Sequence, residues 1–401
     1  MNTKKPLVLF RAPILTLSGY GTHARQIGDW LLSMEKAGHI ELYCDALYWG
    51  NTTWIVDRYR DDVVKELMER CRALPRRPDV SVQLQLPNEW DPNLALKNIG
   101  VTAAVETDKA PIEWSDACNA MDAVVFPSKH SMDSIVNASK ERANQWLQRA
   151  FIVPESFSET LLEDADAKIL DIERPFTFIV FGQITSLNDA RCDRKNTLNT
   201  VSWLLEEFAG DDKVGVVVKA NHGRFTIFDR YHTENALIAA KKYAASRTNK
   251  TLPTLQMLHG DMTDKELVAL YKHPNVKALV TATRGEGFGL PILEAAVCEL
   301  PIIATGWSGH CEYLNKGKFV DLPYTLLPVH ESKVDGKIFV KSRWAEVSEK
   351  DFKKRVRKFR ESSSIPKEWA IDLSQKLRLS HCRKANFECW EAAVGNLIRG
   401  I

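Results

Sequence analysis

The chain has 401 residues and a mass of 45.4 kDa, more than one hydrophobic core usually organises, so two domains are expected. Hydrophobic residues make up 44% and charged residues 26%, which excludes a disordered, collagen-like or membrane-spanning chain. Lys and Arg number 54 against 52 Asp and Glu, so bulk charge speaks neither for nor against an acidic partner; only local clusters can.

In chain order, Met1–Pro6 precede a short apolar run, Leu7–Phe10, that reads as a first strand rather than a secretory leader. The eight cysteines stand singly, with no CxxC pair, which excludes a zinc ribbon and fits a reduced, cytoplasmic compartment. In that compartment the sequons at Asn51 and Asn137 are chance matches. A loop ending Ser18-Gly19-Tyr20-Gly21-Thr22 leads into a helix with Ile27, Trp30, Leu31 and Met34 on one face. Val80–Leu86, Val101–Val105, Ala123–Phe126 and Phe151–Val153 read as further strands.

Ser156–Asp171 is polar and acidic, and a boundary is placed near 172. Its Asp164-Ala165-Asp166 is formally a DxD, here expected on a solvated linker helix. The second half repeats the alternation at Phe176–Phe181, Val214–Val218, Leu255–Leu258, Val276–Val280 and Pro301–Ala304. Strands alternating with helices imply parallel sheets covered on both faces, hence α/β architecture with two Rossmann-like domains.

The most informative stretch is Thr283-Arg284-Gly285-Glu286-Gly287-Phe288-Gly289-Leu290-Pro291-Ile292-Leu293-Glu294-Ala295-Ala296. Gly287 and Gly289 allow backbone to approach a ligand closely, and Pro291 suits a first helical turn. The helix start directs free N–H groups toward phosphate. Glu286 in the loop and Glu294 one turn into the helix can line one crevice, as acceptors for sugar hydroxyls. A tight turn with two solvated carboxylates is the plain alternative.

This spelling resembles the E-x7-E signature of family 4-type retaining glycosyltransferases with the GT-B fold. The resemblance extends upstream over Gly260–Tyr271 and downstream over Leu300–Thr305 with Ser308-Gly309. It implies GT-B: two Rossmann-like domains, 1–172 for the acceptor and 173–380 for the nucleotide sugar. Sheets face a central cleft, and residues 381–401 form a helix crossing back to the first domain, about Phe387–Ile398. It assigns donor-sugar contact to Glu286, the ribose to Glu294, and backbone contacts to Gly287, Phe288, Gly289 and Leu290. One departure is Glu299, where the family has Gly; that position caps a helix end, so a structural cost is expected.

The same resemblance calls for an Arg and a Lys on the diphosphate. Gln183 stands where Arg is common, and the cations come later, at Arg194 and Lys195. Asp193 reads as an N-cap with Leu198, Val201, Leu205 and Phe208 following at helical spacing, which puts Arg194 and Lys195 in a first turn. Lys219, at a strand end, is a third cation for the donor. In the first half, Gly19 and Gly21 are matched to a loop near the donor phosphates, and Asp108 to an acidic group near the transferred sugar. Glu286, Lys195 and Asp108 make the expected catalytic set. His23, His222, His259 and His310 stand apart, with no metal-ligand spacing.

Six cations crowd into Lys353–Arg360, with Phe352, Val356 and Phe359 on one face. A solvated helix, an anionic membrane surface that would make the protein peripheral, and a polyanion all remain open for 353–360. Arg70, Arg72, Arg76 and Arg77 raise the same question on a smaller scale. The implied reaction is retaining, metal-independent transfer from a UDP- or GDP-sugar to a hydroxyl on a glycan, a lipid-linked acceptor or a nucleic acid, including modified bases of DNA or RNA. A sugar-nucleotide epimerase and a catalytically silent sugar-nucleotide binding protein are the alternatives.

Overall fold

The computed structural model describes residues 5–57, 62–140, 149–184, 190–333 and 339–400, with Asn221 described by its backbone alone. They form two compact units, Met1–Ser156 with Arg383–Ile401, and Phe157–Cys382.

The first unit is built on a six-stranded parallel sheet in the order β2-β1-β3-β4-β5-β6. Its strands are β1 (Leu7–Ala12), β2 (Glu41–Ala46), β3 (Val80–Leu84), β4 (Lys97–Val101), β5 (Ala123–Phe126) and β6 (Ala150–Ile152). Helices α1 (Gly19–Lys36), α2 (Asp62–Glu69), α3 (Ile112–Asn119) and α4 (Lys129–Ser139) alternate with them. Helix α1 begins at Ser18, whose hydroxyl accepts from Gly21 N, and it buries Ile27, Trp30, Leu31 and Met34. β3 stops before Leu86, and β4 ends where a strand was expected to begin. The reason is that β4 opens on polar residues. Asn98 is buried but satisfied, its side chain bonded to Ser81, Ala95 and Pro92, so burial there leaves no apolar signal.

The C-terminal residues continue this unit as one unbroken helical run: α12 (Arg383–Trp390), a π-helical turn (Glu391–Gly395) and α13 (Asn396–Arg399). Trp390 is fully buried, stacks on Trp30 at 5.5 Å, and shares the core with Val394 and Ile398.

The second unit has the sheet order β12-β11-β10-β7-β8-β9, again all parallel. Its strands are β7 (Phe176–Gln183), β8 (Val214–Asn221), β9 (Thr254–His259), β10 (Val276–Thr281), β11 (Ile302–Thr305) and β12 (Val320–Leu322). An antiparallel pair, β13 (Tyr324–Pro328) and β14 (Arg343–Val347), stands beside it. Its helices are α5 (Thr197–Glu207), α6 (Ile227–Ser246), α7 (Asp264–Tyr271), α8 (Leu290–Val297), α9 (His310–Leu314), α10 (Glu349–Glu361) and α11 (Ser364–Ser380).

Two expectations are corrected by this unit. The first unit ends at Ser156 rather than 172, because Phe157, Leu161 and Ile172 are buried in the second unit's core. The DxD is not on a linker helix: Asp164 and Asp166 are exposed, and Asp166 accepts from Lys168 N to cap a short 3-10 turn, Ala167–Ile169. Among the described residues no helix is long and apolar enough to cross a membrane.

The basic helix α10 buries Phe352, Val356 and Phe359 in the second unit. Three of its cations are already partnered. Lys353 meets Glu206 and Glu349, Arg357 meets Glu207, and Arg360 meets Asp211. The field it offers a polyanion is therefore smaller than six cations suggested. Arg70, Arg72 and Arg76 are likewise matched to Glu35, Glu41 and Asp79.

Candidate active site

The site assembles in the second unit, where the segment after β10 meets the segment before α5. Glu286 is 5% exposed and accepts both oxygens' worth of bonding from one ammonium: Lys195 Nζ lies 2.7 Å from Oε1 and 2.6 Å from Oε2. Arg194 Nη1 is 3.4 Å from Oε2 and donates to Gly285 O at 2.6 Å. Thr283 Oγ1 donates to Oε1 at 2.8 Å. Burial alone would raise the Glu286 carboxyl, but Lys195 and then Arg194 overcome it and hold it at about 2. Two cations, Lys195 and Arg194, thus converge on one carboxylate.

The route to this geometry differs from the expected one. Asp193 is not the N-cap of α5. That position is Asn196, in a left-handed conformation with φ 52°, which an asparagine tolerates. Asp193 instead accepts from Lys195 N and Thr197 N, folding the loop so that Arg194 and Lys195 precede the helix. Arg194 and Lys195 therefore stand just outside the helix start rather than in its first turn.

Sequence reading missed Arg284. Only 2% exposed, it bonds Ala190 O and Asp193 O and forms a two-contact ion pair with Glu346. Its own N–H donates to Arg194 O. Arg284 therefore clamps the cation-bearing loop to the Glu286 loop. Ser308 was also missed as a site residue: its hydroxyl accepts from Glu286 N at 2.9 Å, in a backbone held at φ 86°. An arginine inside a glycine-rich loop was the available signal for the first, and the Ser308-Gly309 part of the family resemblance for the second.

Gly289 sits at φ 92° as the N-cap of α8, a conformation that favours glycine, and its carbonyl accepts from Tyr313 Oη. Phe288 is 4% exposed and packs on Tyr313; Gly287 is buried and Leu290 half-buried. Glu294 is not joined to the cation cluster. It accepts from the Tyr271 hydroxyl at 2.8 Å, and burial pushes it up to about 7. Lys219 is 7% exposed, donates to Gly260 O at 2.5 Å, and is lowered by burial to about 8.

In the first unit, Gly21 is required by packing: a Cβ there would lie 1.9 Å from Thr16 O. Gly19 has open space around its Cα. Tyr20 ties this turn to the end of β4 by bonds to Thr102 Oγ1 and Ala103 N. Asp108, half-buried in the loop after β4, has its carbonyl capped by Asn137. The expected residues thus fall into a first-unit set (Gly19, Gly21, Asp108) and a second-unit set, in which Arg194 and Lys195 join Glu286 while Glu294 and Lys219 have other partners.

Residues 240–325 match the family model described as glycosyl transferases group 1. A probable sucrose-phosphate synthase from Thermosipho melanesiensis is 26% identical over 184 residues, 45% of this chain and 38% of that protein, so the chain spans well under half of that relative. Among solved structures, the UDP-forming α,α-trehalose-phosphate synthase of Burkholderia xenovorans superposes with a TM-score of 0.63 at 10% identity, covering 98% of this chain and 99% of that one. Sucrose-phosphate synthase from Thermosynechococcus elongatus gives 0.61 at 11% identity, covering 99% and 100%. Anabaena HepE, solved with UDP and glucose, gives 0.59 at 9%, covering 97% and 99%. Two parallel six-stranded sheets, each wrapped in helices, are thus the GT-B fold, and within the second unit residues 240–325 are similar to the glycosyl transferases group 1 model.

Proposed function

We propose that the chain is a retaining glycosyltransferase that moves a sugar from a nucleotide-sugar donor to a hydroxyl acceptor. The observation that carries this reading is the Lys195–Glu286–Arg194 cluster. Two cations converge on one carboxylate beside a glycine-capped helix start, inside or against the segment that matches the family. A diphosphate leaving group gathers negative charge as its bond to the sugar breaks. Lys195, Arg194 and the backbone N–H groups of the Gly287–Leu290 loop are the groups proposed to stabilise it. Glu286, released from the ammonium, would then accept from donor-sugar hydroxyls, and Glu294 from the ribose. Lys219, Gly19 and Gly21 are proposed as further donor contacts, and Asp108 as a group near the transferred sugar. UDP is the first nucleotide to test, since HepE was solved with it and the Burkholderia synthase is UDP-forming.

On this reading Lys195 and Arg194 supply at the leaving group the positive charge that a divalent cation would otherwise supply. Transfer should therefore survive chelation. The deciding experiment measures nucleotide release from UDP- and GDP-sugars, with and without candidate acceptors, and reads the anomeric configuration of the product by NMR. Release with retention supports the reading. Binding without any release would make the chain a sugar-nucleotide sensor, and activity lost to EDTA but restored by manganese would overturn metal independence.

A further inference from the structure

We propose that the segment Leu47–Asp57 of the first unit is a saccharide-binding platform, and that the acceptor is a neutral carbohydrate; the word acceptor rests on the transfer reading above. The segment follows β2, at the carboxyl end of the parallel sheet, where α/β sheets present their ligand loops. It carries three large aromatic side chains in eleven residues: Tyr48, Trp49 and Trp54. Tyr48 is 84% exposed and Val56 is 96% exposed, while Trp49 and Trp54 are half-buried.

The rings are ordered against one another. Tyr48 and Trp54 lie 4.5 Å apart, and Trp49 stacks on Tyr20 at 4.1 Å. The backbone beneath them is pinned to the segment before the Gly19 turn. Leu17 N donates to Thr53 O at 2.8 Å, Ile55 N donates to Leu15 O at 2.7 Å, and Thr16 and Trp54 form a bridge. Thr52 Oγ1 closes the turn on Trp49 O. Exposed aromatic rings are costly to leave in water, and a loop held this firmly does not hide them. A preformed aromatic surface loses little side-chain entropy on binding.

The chemistry of the rim selects the occupant. A pyranose has a face of C–H bonds that lies flat on an aromatic ring, and an edge of hydroxyls that wants polar partners. Asn51 and Asp57 are exposed at that rim. Single-stranded nucleic acid also stacks on aromatic rings but needs cations for its phosphates, as an anionic membrane does for its headgroups. Leu47–Asp57 carries one carboxylate, Asp57, and no lysine or arginine. The segment thus brings no cation of its own to a polyanion, which favours a neutral sugar.

The test uses the full chain and saturation-transfer NMR with maltose, cellobiose, lactose and chitobiose at millimolar concentration. Oligo(dT) and phosphatidylserine vesicles serve as the competing occupants. UDP affinity is measured separately by calorimetry. At least one saccharide should give transfer signals. Tyr48→Ala should weaken its affinity by about five-fold, the worth of one aromatic contact, while Tyr48→Phe keeps it. UDP affinity should be the same in all three proteins. Tyr48 is exposed enough that neither variant threatens folding. The proposal is overturned if no saccharide binds, if Tyr48→Ala binds as well as wild type, or if oligo(dT) or vesicles bind through Tyr48 instead. A chain that binds saccharide through Tyr48 but releases no nucleotide from any donor would refute the transferase reading and leave the platform standing.

Discussion

Glu286 and Glu294 belong to one loop-helix segment, yet their surroundings drive them in opposite directions. Burial acts on both. At Glu286 it is overcome by Lys195 and Arg194, and the carboxyl is held at about 2. At Glu294 the nearest polar partner is a phenol, Tyr271, and burial pushes the carboxyl up to about 7. One is a fixed anion at any physiological pH; the other titrates near neutrality. The lesson is that nine residues of shared motif do not confer shared electrostatics. The loop before α5 delivers cations to the first glutamate, and α7 delivers a hydroxyl to the second.

The sharpest way to break this contrast is Lys195→Ala. Removing the cation that meets the growing charge of a leaving diphosphate should lower turnover by about a hundred- to a thousand-fold, with a smaller loss of nucleotide affinity. Initial rates and calorimetry on a folded variant check it. Wild-type turnover would reduce the ion pair to a structural contact.

Glu294→Ala should weaken nucleotide binding by about 1–3 kcal/mol, roughly five- to 150-fold, through lost hydrogen bonds to the ribose. Unchanged affinity would remove Glu294 from the binding site. The same role makes affinity for UDP rise with pH through about 7 in wild type, as the carboxylate becomes a full acceptor. A flat calorimetric profile across that range would count against the assignment.

Stability should carry the contrast as opposite pH dependences. Glu294 holds its proton more tightly in the folded chain than its ordinary value of 4.5. Its contribution is whole below about 4.5 and is lost as pH rises through about 7. Glu286 releases its proton more readily when folded, so its contribution is whole above about 4.5 and is lost as pH falls toward about 2. Melting temperature against pH, for wild type minus Glu294→Gln and for wild type minus Glu286→Gln, should slope in opposite senses in those two windows. Parallel difference curves would mean the two carboxylates share one environment.

The smallest expected effect is at a third glutamate of the same stretch, at the far end of α8. Leu300 N bonds Ala295 O and Glu299 N bonds Ala296 O, closing the helix on a residue at φ 60°. Glycine suits that conformation, so Glu299→Gly should stabilise by about 0.5 kcal/mol, net of the weak half-exposed pair with Arg378. Thermal unfolding decides it. A loss of stability would show that the Arg378 pair outweighs the backbone strain.

Much of the site was legible because the chemistry is local. Glu286, Gly287, Phe288, Gly289, Leu290 and Glu294 lie within one short run, and a glycine-flanked helix start carries its own signature. What was not legible depends on partners far along the chain. Arg284 works through Ala190, Asp193 and Glu346, and none of these contacts has a sequence spacing to recognise. Asp193 was misread as an N-cap because an acid before a helical pattern usually is one. Here Asn196, one of the few residues at ease with a left-handed backbone, took the position instead.

The alternation of apolar runs with helical patterns, taken alone, determined an α/β architecture, since a strand buried on both faces must be apolar throughout and a covering helix must be apolar on one stripe. The tertiary structure alone decided which carboxylate is charged. It also decided that three cations of α10 are paired with Glu206, Glu207 and Asp211, and that Phe157, Leu161 and Ile172 serve the second unit's core. Coulomb energy and desolvation depend on distance and burial. Neither can be read from order along a chain, because residues that set the field at Glu286 lie about ninety positions away in sequence and within hydrogen-bond reach in space.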